Sequence, residues 1–269
     1  MKIKKQYMEF LTIFLSSLLG LLIPAGLVVD RTAENFIRSH LAGVKQLQVR
    51  VDNAPTYQLL QGKVQRMRIA GRSLRLKQQN IRIAALELET DAIEFEPSSF
   101  RQKRPRLKRP LQAGVRLVIY QEDINKFLQS PEFLEQWRKF NLEDSSLSYN
   151  FLHPKVKILA NNQLNFQVEL QEKNQSKPLL IQVESGLKVI AGRRFQLVDP
   201  IVLVNGEKFP PHLVNNVVDN INQRLDLGIW EGDGLQVRIL KLKTKPAQLE
   251  MAAFLKIEPS SKFLETHRL

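Results

Sequence analysis

Residues 63–96 read KVQRMRIAGRSLRLKQQNIRIAALELETDAIEFE, and the period of that stretch decides the fold. Met67 and Ile69 alternate with Arg66, Arg68 and Ala70. After Gly71, Leu74 and Leu76 alternate with Arg75 and Lys77, and Ile81 and Ile83 flank Arg82. Successive strand side chains point to opposite faces, so period two implies an antiparallel meander with one dry and one wet face. At Ala84-Ala85 the phase flips. Leu86 and Leu88 become the apolar set against Glu87 and Glu89, and Ile93 and Phe95 then oppose Glu94 and Glu96. A flip inside a strand predicts a bulge or bend, as in a strongly curved sheet.

Working outward, QLQVRVDN at 46–53 predicts another half-buried strand, with Leu47, Val49 and Val51 on its dry side. Before it, residues 30–42 read as a helix capped by Asp30 or Thr32, with Ala33, Phe36, Ile37 and Leu41 on one stripe and Gly43 as its stop. After the meander, PSSFRQKRPRLKRPLQ at 97–112 holds three prolines and six basic residues and predicts an exposed loop. A strand at 113–120 follows, with Val115, Leu117 and Ile119 on its dry side. Short helices are expected at 121–129 and 131–140, and strands at 155–160, 163–171, 179–191 and 194–204. Hairpin turns are expected at Asn161-Asn162 and Gly192-Arg193. Pro210 to Leu227 carries the strongest helical pattern, with Pro210 and Pro211 in the first turn and Leu213, Val217, Ile221 and Leu225 at i+4. Strands at 235–243 and 247–257 complete an α+β domain over 30–258, a long curved antiparallel β-sheet packed on helices. Residues 259–269 form a loose tail.

The first 29 residues have a separate character. Lys2, Lys4 and Lys5 precede FLTIFLSSLLGLLIPAGLVV, an uncharged run from Phe10 to Val29. Twenty residues match the about 20 that a helix needs to cross a bilayer core, whereas a secretory signal carries an apolar run of about 7–15. The length favours an uncleaved N-terminal membrane helix. A cleaved signal peptide and a buried core helix are the alternatives. Lysines ahead of the run keep the N-terminus in the cytoplasm and put the domain on the extracytoplasmic side, in a periplasm or thylakoid lumen. Met8 offers a second start site, which would remove those lysines.

The chain holds 40 Lys and Arg against 27 Asp and Glu, a formal charge of +13. The excess is uneven, because residues 1–112 carry 20 basic side chains against 9 acidic ones. Such a basic part suits an anionic partner, either nucleic acid or acidic lipid. An anchored, exported domain sits beside lipid, and acidic lipid attracts juxtamembrane basic residues by about 1 kcal/mol each. The partners expected are therefore membrane lipids, acidic phospholipid above all, and no nucleic acid. With no cysteine, disulfides, thiolate metal sites and cysteine nucleophiles are excluded.

Catalytic patterns are missing. His40, His153, His212 and His267 are scattered without ligand spacing, so no metal is expected. No nucleophile elbow, phosphate loop or dinucleotide fingerprint occurs, and no cofactor is expected. The pairs Glu87/Glu89 and Glu94/Glu96 alternate with apolar residues, as on a solvated strand face. Three binding features stand out. The basic loop holds Arg101, Lys103, Arg104, Arg106, Lys108 and Arg109. An arginine face is built from Arg66, Arg68, Arg72, Arg75, Lys77 and Arg82. The dry face carries Leu47, Val49, Val51, Met67, Ile69, Leu86, Leu88, Ile93, Phe95, Val115, Leu117 and Ile119. If the sheet curls and leaves a gap, that face can hold an acyl chain; if the helix at 211–227 fills it, it is core.

Seven segments carry a resemblance: MEFLTIFLSSLLGLL at 8–22, VDNAPTYQLLQGKVQRMRIAG at 51–71, IRIAALELETDAI at 81–93, RPLQAGVRLVIYQEDIN at 109–125, LANNQLNFQVEL at 159–170, VESGLKVIAGRRFQLVDPIVLVN at 183–205, and PPHLVNN at 210–216 with INQRLDLG at 221–228. In this order they resemble the LmeA family of phospholipid-binding proteins. The resemblance is a whole-domain pattern and assigns no active site. It implies an exported or membrane-anchored, non-enzymatic lipid binder, with a fold similar to the tubular lipid-binding (TULIP-like) type around an apolar cavity. On that reading the dry face takes acyl chains, while Arg66, Arg68, Arg75 and the loop at 101–109 meet headgroups. The rival reading is an envelope scaffold or assembly protein that binds a protein partner.

Overall fold

The computed structural model describes residues 30–39, 41–52, 58, 61–77, 81–101, 106–138, 149–172, 177–210, 218–219, 222 and 225–264. The run from Phe10 to Val29 lies outside them, as do residues 211–217, 220, 221, 223 and 224 of the expected long helix. Among the described residues no helix is long and apolar enough to cross a membrane.

The elements follow in order: α1 (Asp30–Ser39), β1 (Leu41–Gly43), β2 (Gln46–Asp52), β3 (Lys63–Val64), β4 (Arg66–Leu76), β5 (Arg82–Thr90), β6 (Ile93–Glu94), α2 (Pro97–Arg101) and β7 (Leu111–Tyr120). Next come α3 (Gln121–Leu128), α4 (Pro131–Arg138), β8 (Tyr149–Ile158), β9 (Gln163–Glu172), β10 (Leu179–Ile190), β11 (Arg194–Val204) and β12 (Glu207–Lys208). A 3-10 helix at Leu227–Asp233 leads into β13 (Leu235–Lys245) and β14 (Gln248–Ile257), and a short one follows at Lys262–Leu264. The class is α+β, with antiparallel sheets predominating. The chain divides into two compact units, the first holding Glu9–Val118, Leu227–Lys241 and Met251–Leu269, the second Ile119–Asp226 and Leu242–Glu250.

In the first unit β2, β4, β5 and β7 are neighbours in a seven-stranded sheet ordered β1-β4-β5-β7-β14-β13, with β2 also on β4. Its register reproduces the period-two reading. Val49 faces Ile69, Ile69 faces Leu88, and Leu88 faces Val115, so the dry residues stand in rows. The phase flip is present: Ala85 and Leu86 are both buried. In β4 the buried set changes from Met67, Ile69 and Gly71 to Leu74 and Leu76. Between the two sets Ser73 adopts a φ of +50°, a left-handed conformation that re-aims the strand. Gly71 leaves room for Leu74, whose Cδ1 would stand 2.7 Å from a Cβ at position 71.

The structure corrects three expectations. Helix α1 stops at Ser39, and Leu41–Gly43 instead pairs with β4, Leu41 opposite Leu76. The segment 97–112 is not a free loop at its ends. Pro97–Arg101 is helical, Leu107 is buried, and the Ser99 hydroxyl accepts the Arg106 amide at 2.9 Å. The Glu96 and Lys108 amides add backbone bonds to Arg106 O and Glu94 O. The third is the turn after β10, which is centred on Ala191 and Gly192 (φ +51° and +65°), one residue earlier than expected, closed by the Arg193 amide on Ile190 O.

In the second unit β12-β11-β10-β9-β8 form a five-stranded sheet. Asn161 and Asn162 (φ +56° and +58°) make the expected two-residue turn between β8 and β9. Asn205 and Gly206 (φ +52° and +86°) make another, between β11 and β12, that the sequence reading did not single out. Helix α3 is fixed to β8 by Asn125, whose side chain accepts the Val156 amide at 2.8 Å and donates to Val156 O at 3.1 Å.

Candidate functional site

The dry residues of the first unit are closed off from solvent. Leu47, Val49, Met67, Ile69, Leu86, Leu88, Ile93, Phe95, Val115 and Leu117 are between 0 and 8% exposed. Val51 is half-buried, as is Ile119, which falls in the second unit. Close packing of this kind places the face in a hydrophobic core, where each methylene buried contributes about 0.8 kcal/mol.

Accessible apolar surface lies elsewhere, on the five-stranded sheet of the second unit. Directly opposed residues on neighbouring antiparallel strands share a face. Val156 opposes Phe166, Phe166 opposes Val183, and Val183 opposes Val202, so one apolar row crosses four strands. A second row runs Val168, Ile181, Val204. Val168 is buried, while Val156, Phe166, Ile181, Val183, Val202 and Val204 keep part of their surface. The sequence reading recognised these strands but did not choose this face. Its signal was there in the apolar residues at 164, 166, 168 and 170, which match those at 179, 181 and 183.

The arginines stand on the outer face of the first unit. Arg66, Arg72 and Arg75 are exposed and Arg68 is partly so. Arg66 pairs with Glu89 at 3.2 Å, Arg72 with Glu87 at 3.4 Å, and Arg68 with Asp52. Exposed pairs such as these contribute about 0–1 kcal/mol each. Arg75 and Arg82 oppose each other across β4 and β5. In the basic segment Arg106, Lys108 and Arg109 are exposed, and Arg109 reaches Glu94 at 3.5 Å. Arg101 ends α2; its side chain, with Lys103 and Arg104, lies outside the described residues.

The same outer face is hollowed. A groove of about 560 Å³ is lined by Gln48, Arg50, Arg68, Ile69, Ala70, Glu87, Leu88, Glu89, Gly114, Val115, Arg116, Leu240, Ala252 and Ala253. Small residues on three strands, Ala70, Gly114 and Ala252, form its floor. Leu240, 71% exposed, is its apolar wall. Arg116 holds Glu87 at 3.1 Å. Beside the groove, desolvation pushes the Asp52 carboxyl up, but the hydrogen bonds and charges of Arg68 and Arg50 outweigh it and hold Asp52 below the ordinary carboxylate range. Arg68 Nε is buried without a hydrogen-bond partner, an arrangement that ordinarily costs about 1–3 kcal/mol. Among the described residues no group of three or more His, Asp or Glu is placed to hold a metal ion.

Neither the curated proteins nor the solved structures contain a match to this chain. A family model, LmeA-like phospholipid-binding, matches residues 22–254, a span that takes in both sheets, the apolar rows and the groove. The chain belongs to the LmeA-like phospholipid-binding family.

Proposed function

We propose that this protein is a non-enzymatic phospholipid-binding or transfer protein, anchored by its N-terminal segment with the domain on the extracytoplasmic side. The acyl chains lie on the partly exposed apolar rows of the five-stranded sheet. The observation that carries the reading, beside family membership, is the row Val156, Phe166, Val183, Val202, apolar across four strands and still partly accessible. At about 0.8 kcal/mol per buried methylene, contact with even five or six methylenes is worth some 4–5 kcal/mol before the costs of association. The packed dry face of the first unit serves as the core that holds the outer arginines in place. Arg66, Arg75, Arg106, Lys108 and Arg109 attract an acidic bilayer by their charge, and that attraction weakens as salt is raised.

The experiment is uptake of fluorescent phosphatidylglycerol from vesicles by the wild-type chain and by Val183→Asp and Val202→Asp. A carboxylate in mid-row meets an acyl chain without a partner. Both variants should take up at least tenfold less lipid while keeping the wild-type circular dichroism spectrum. Unchanged uptake would remove the acyl site from this face.

A further inference from the structure

We infer that the apolar face of the five-stranded sheet has a direction. A phospholipid enters it tail first, its chain ends stop at the row Ile158, Leu164, Ser185, and its headgroup stays at the row Phe151, Leu170, Leu179. The inference rests on the proposal that this face is the acyl site; it adds which end receives the lipid and which chains fit.

Both rows follow from register. Phe151 opposes Leu170, and Leu170 opposes Leu179. Ile158 opposes Leu164, and Leu164 opposes Ser185. The two apolar rows described above lie between them on the same face. The ends differ in burial. Leu179 is 37% exposed, and Phe151 and Leu170 keep part of their surface. Ile158 and Ser185 are 2% and 4% exposed.

Hydrogen bonds from several segments close the second end. The Ala247 amide donates to Ile158 O at 3.0 Å, and the Gln121 amide donates to Ala247 O at 2.9 Å. The Gln121 side chain accepts the Ile158 amide at 2.7 Å. Thr244 holds the Asn161-Asn162 turn, and Asn162 O in turn accepts the Leu187 amide at 2.7 Å. The Ser185 hydroxyl is shared between Val198 O at 3.0 Å and Gly186 O at 2.9 Å. Polar groups at this end are thus paired with one another. A headgroup moved there would give up its water and gain no partner, whereas chain ends lose nothing. At the Leu179 end a headgroup keeps its water.

Length sets the chains that fit. Leu179 and Ser185 stand six residues apart on β10, about 20 Å at roughly 3.3 Å per residue. A bilayer core of about 30 Å holds two leaflets, so one acyl chain spans about 15 Å there. A chain of ordinary membrane length therefore lies wholly on the face, with its ester at the Leu179 end.

The test uses the full chain and vesicles containing one of two phosphatidylglycerols. One carries a diazirine at the end of an acyl chain, the other a diazirine in the headgroup. Labelled residues are located by fragmentation mass spectrometry. The chain-end probe should label Ile158, Leu164 or Ser185 at least tenfold more than Phe151, Leu170 or Leu179, and the headgroup probe should do the reverse. Leu164→Trp, which fills the closed end, should lower uptake of the dipalmitoyl lipid relative to the dilauroyl lipid at least fivefold. Leu179→Trp, at the open end, should leave that ratio unchanged. Should Leu164→Trp fail to fold, Leu164→Phe replaces it. Reversed labelling, labelling spread evenly over both rows, or a ratio equal to wild type with the closed end filled would overturn the direction. If Val183→Asp still abolishes uptake in that case, the acyl site itself stands. A wild-type chain that takes up no phospholipid removes both.

Discussion

Thr244 offers a perturbation whose size can be worked from the geometry. Within the second unit it joins the β13–β14 hairpin to the turn between β8 and β9. Its hydroxyl accepts the Asn162 amide at 2.7 Å and donates to Leu159 O at 2.6 Å. Its own amide donates to Asn162 Oδ1 at 2.9 Å. The residue is 3% exposed. Thr244→Val keeps the shape and removes both hydroxyl bonds, so the loss is not a cavity effect. Two groups are orphaned. The Asn162 amide sits in a part-buried turn and bears most of the penalty of about 1–3 kcal/mol for an unpaired group. Leu159 O belongs to an exposed residue and water recovers part of its bond. The sum is about 2–4 kcal/mol, while Thr244→Ser, which keeps the hydroxyl, should cost under about 1 kcal/mol. Urea unfolding followed by far-ultraviolet circular dichroism measures the difference. Amide exchange at Asn162 locates it, and should be at least tenfold faster in Thr244→Val. If Thr244→Val and Thr244→Ser are equally stable and Asn162 exchanges alike in both, the hydroxyl does not hold this turn.

Other predictions concern the first unit. Gly234 has a φ of +80°, and a Cβ there would stand 2.8 Å from the backbone Cα of Ser261. Gly234→Ala should therefore cost at least about 2 kcal/mol in thermal or urea unfolding, from positive φ and a backbone clash together. Gly71→Ala drives a methyl into the buried Leu74 side chain and should cost about 1–3 kcal/mol, less than its distance alone suggests if Leu74 can turn. Asp52 is held below the ordinary carboxylate range, so its pairing with Arg68 and Arg50 stabilises the fold above that range and is lost as pH falls through the lowered native value. A carbon-13 titration of the Asp52 carboxyl should show the low midpoint, and Asp52→Asn should flatten the acid limb of the stability profile.

Where the chain is half-buried the sequence was readable, because alternation is a local signal. The dry sets of β2, β4, β5 and β7, the phase flip at Ala84-Ala85 and the turn at Asn161-Asn162 all follow from a few adjacent residues. What escaped depends on partners far along the chain. Leu41 reads as the last residue of a helical stripe until Leu76 is placed opposite it. The segment around Arg106 reads as a loose basic loop, because nothing nearby announces that the Ser99 hydroxyl accepts its amide. The candidate sites show the same limit. Alternation assigns Arg68, Glu87 and Arg116 to the wet face, but the hollow between them arises from Ala70, Gly114 and Ala252 on three different strands. Likewise the apolar residues of β9 and β10 were visible singly, and only the register brings Phe166, Val183 and Val202 into one row.

The central claim is lipid binding, and native mass spectrometry of the purified full chain released from mild detergent tests it most directly. The account predicts a stoichiometric phospholipid that survives gel filtration, depleted in Val183→Asp. A lipid-free protein that also takes up none from acidic vesicles would contradict it, and would favour an envelope scaffold that binds a protein partner.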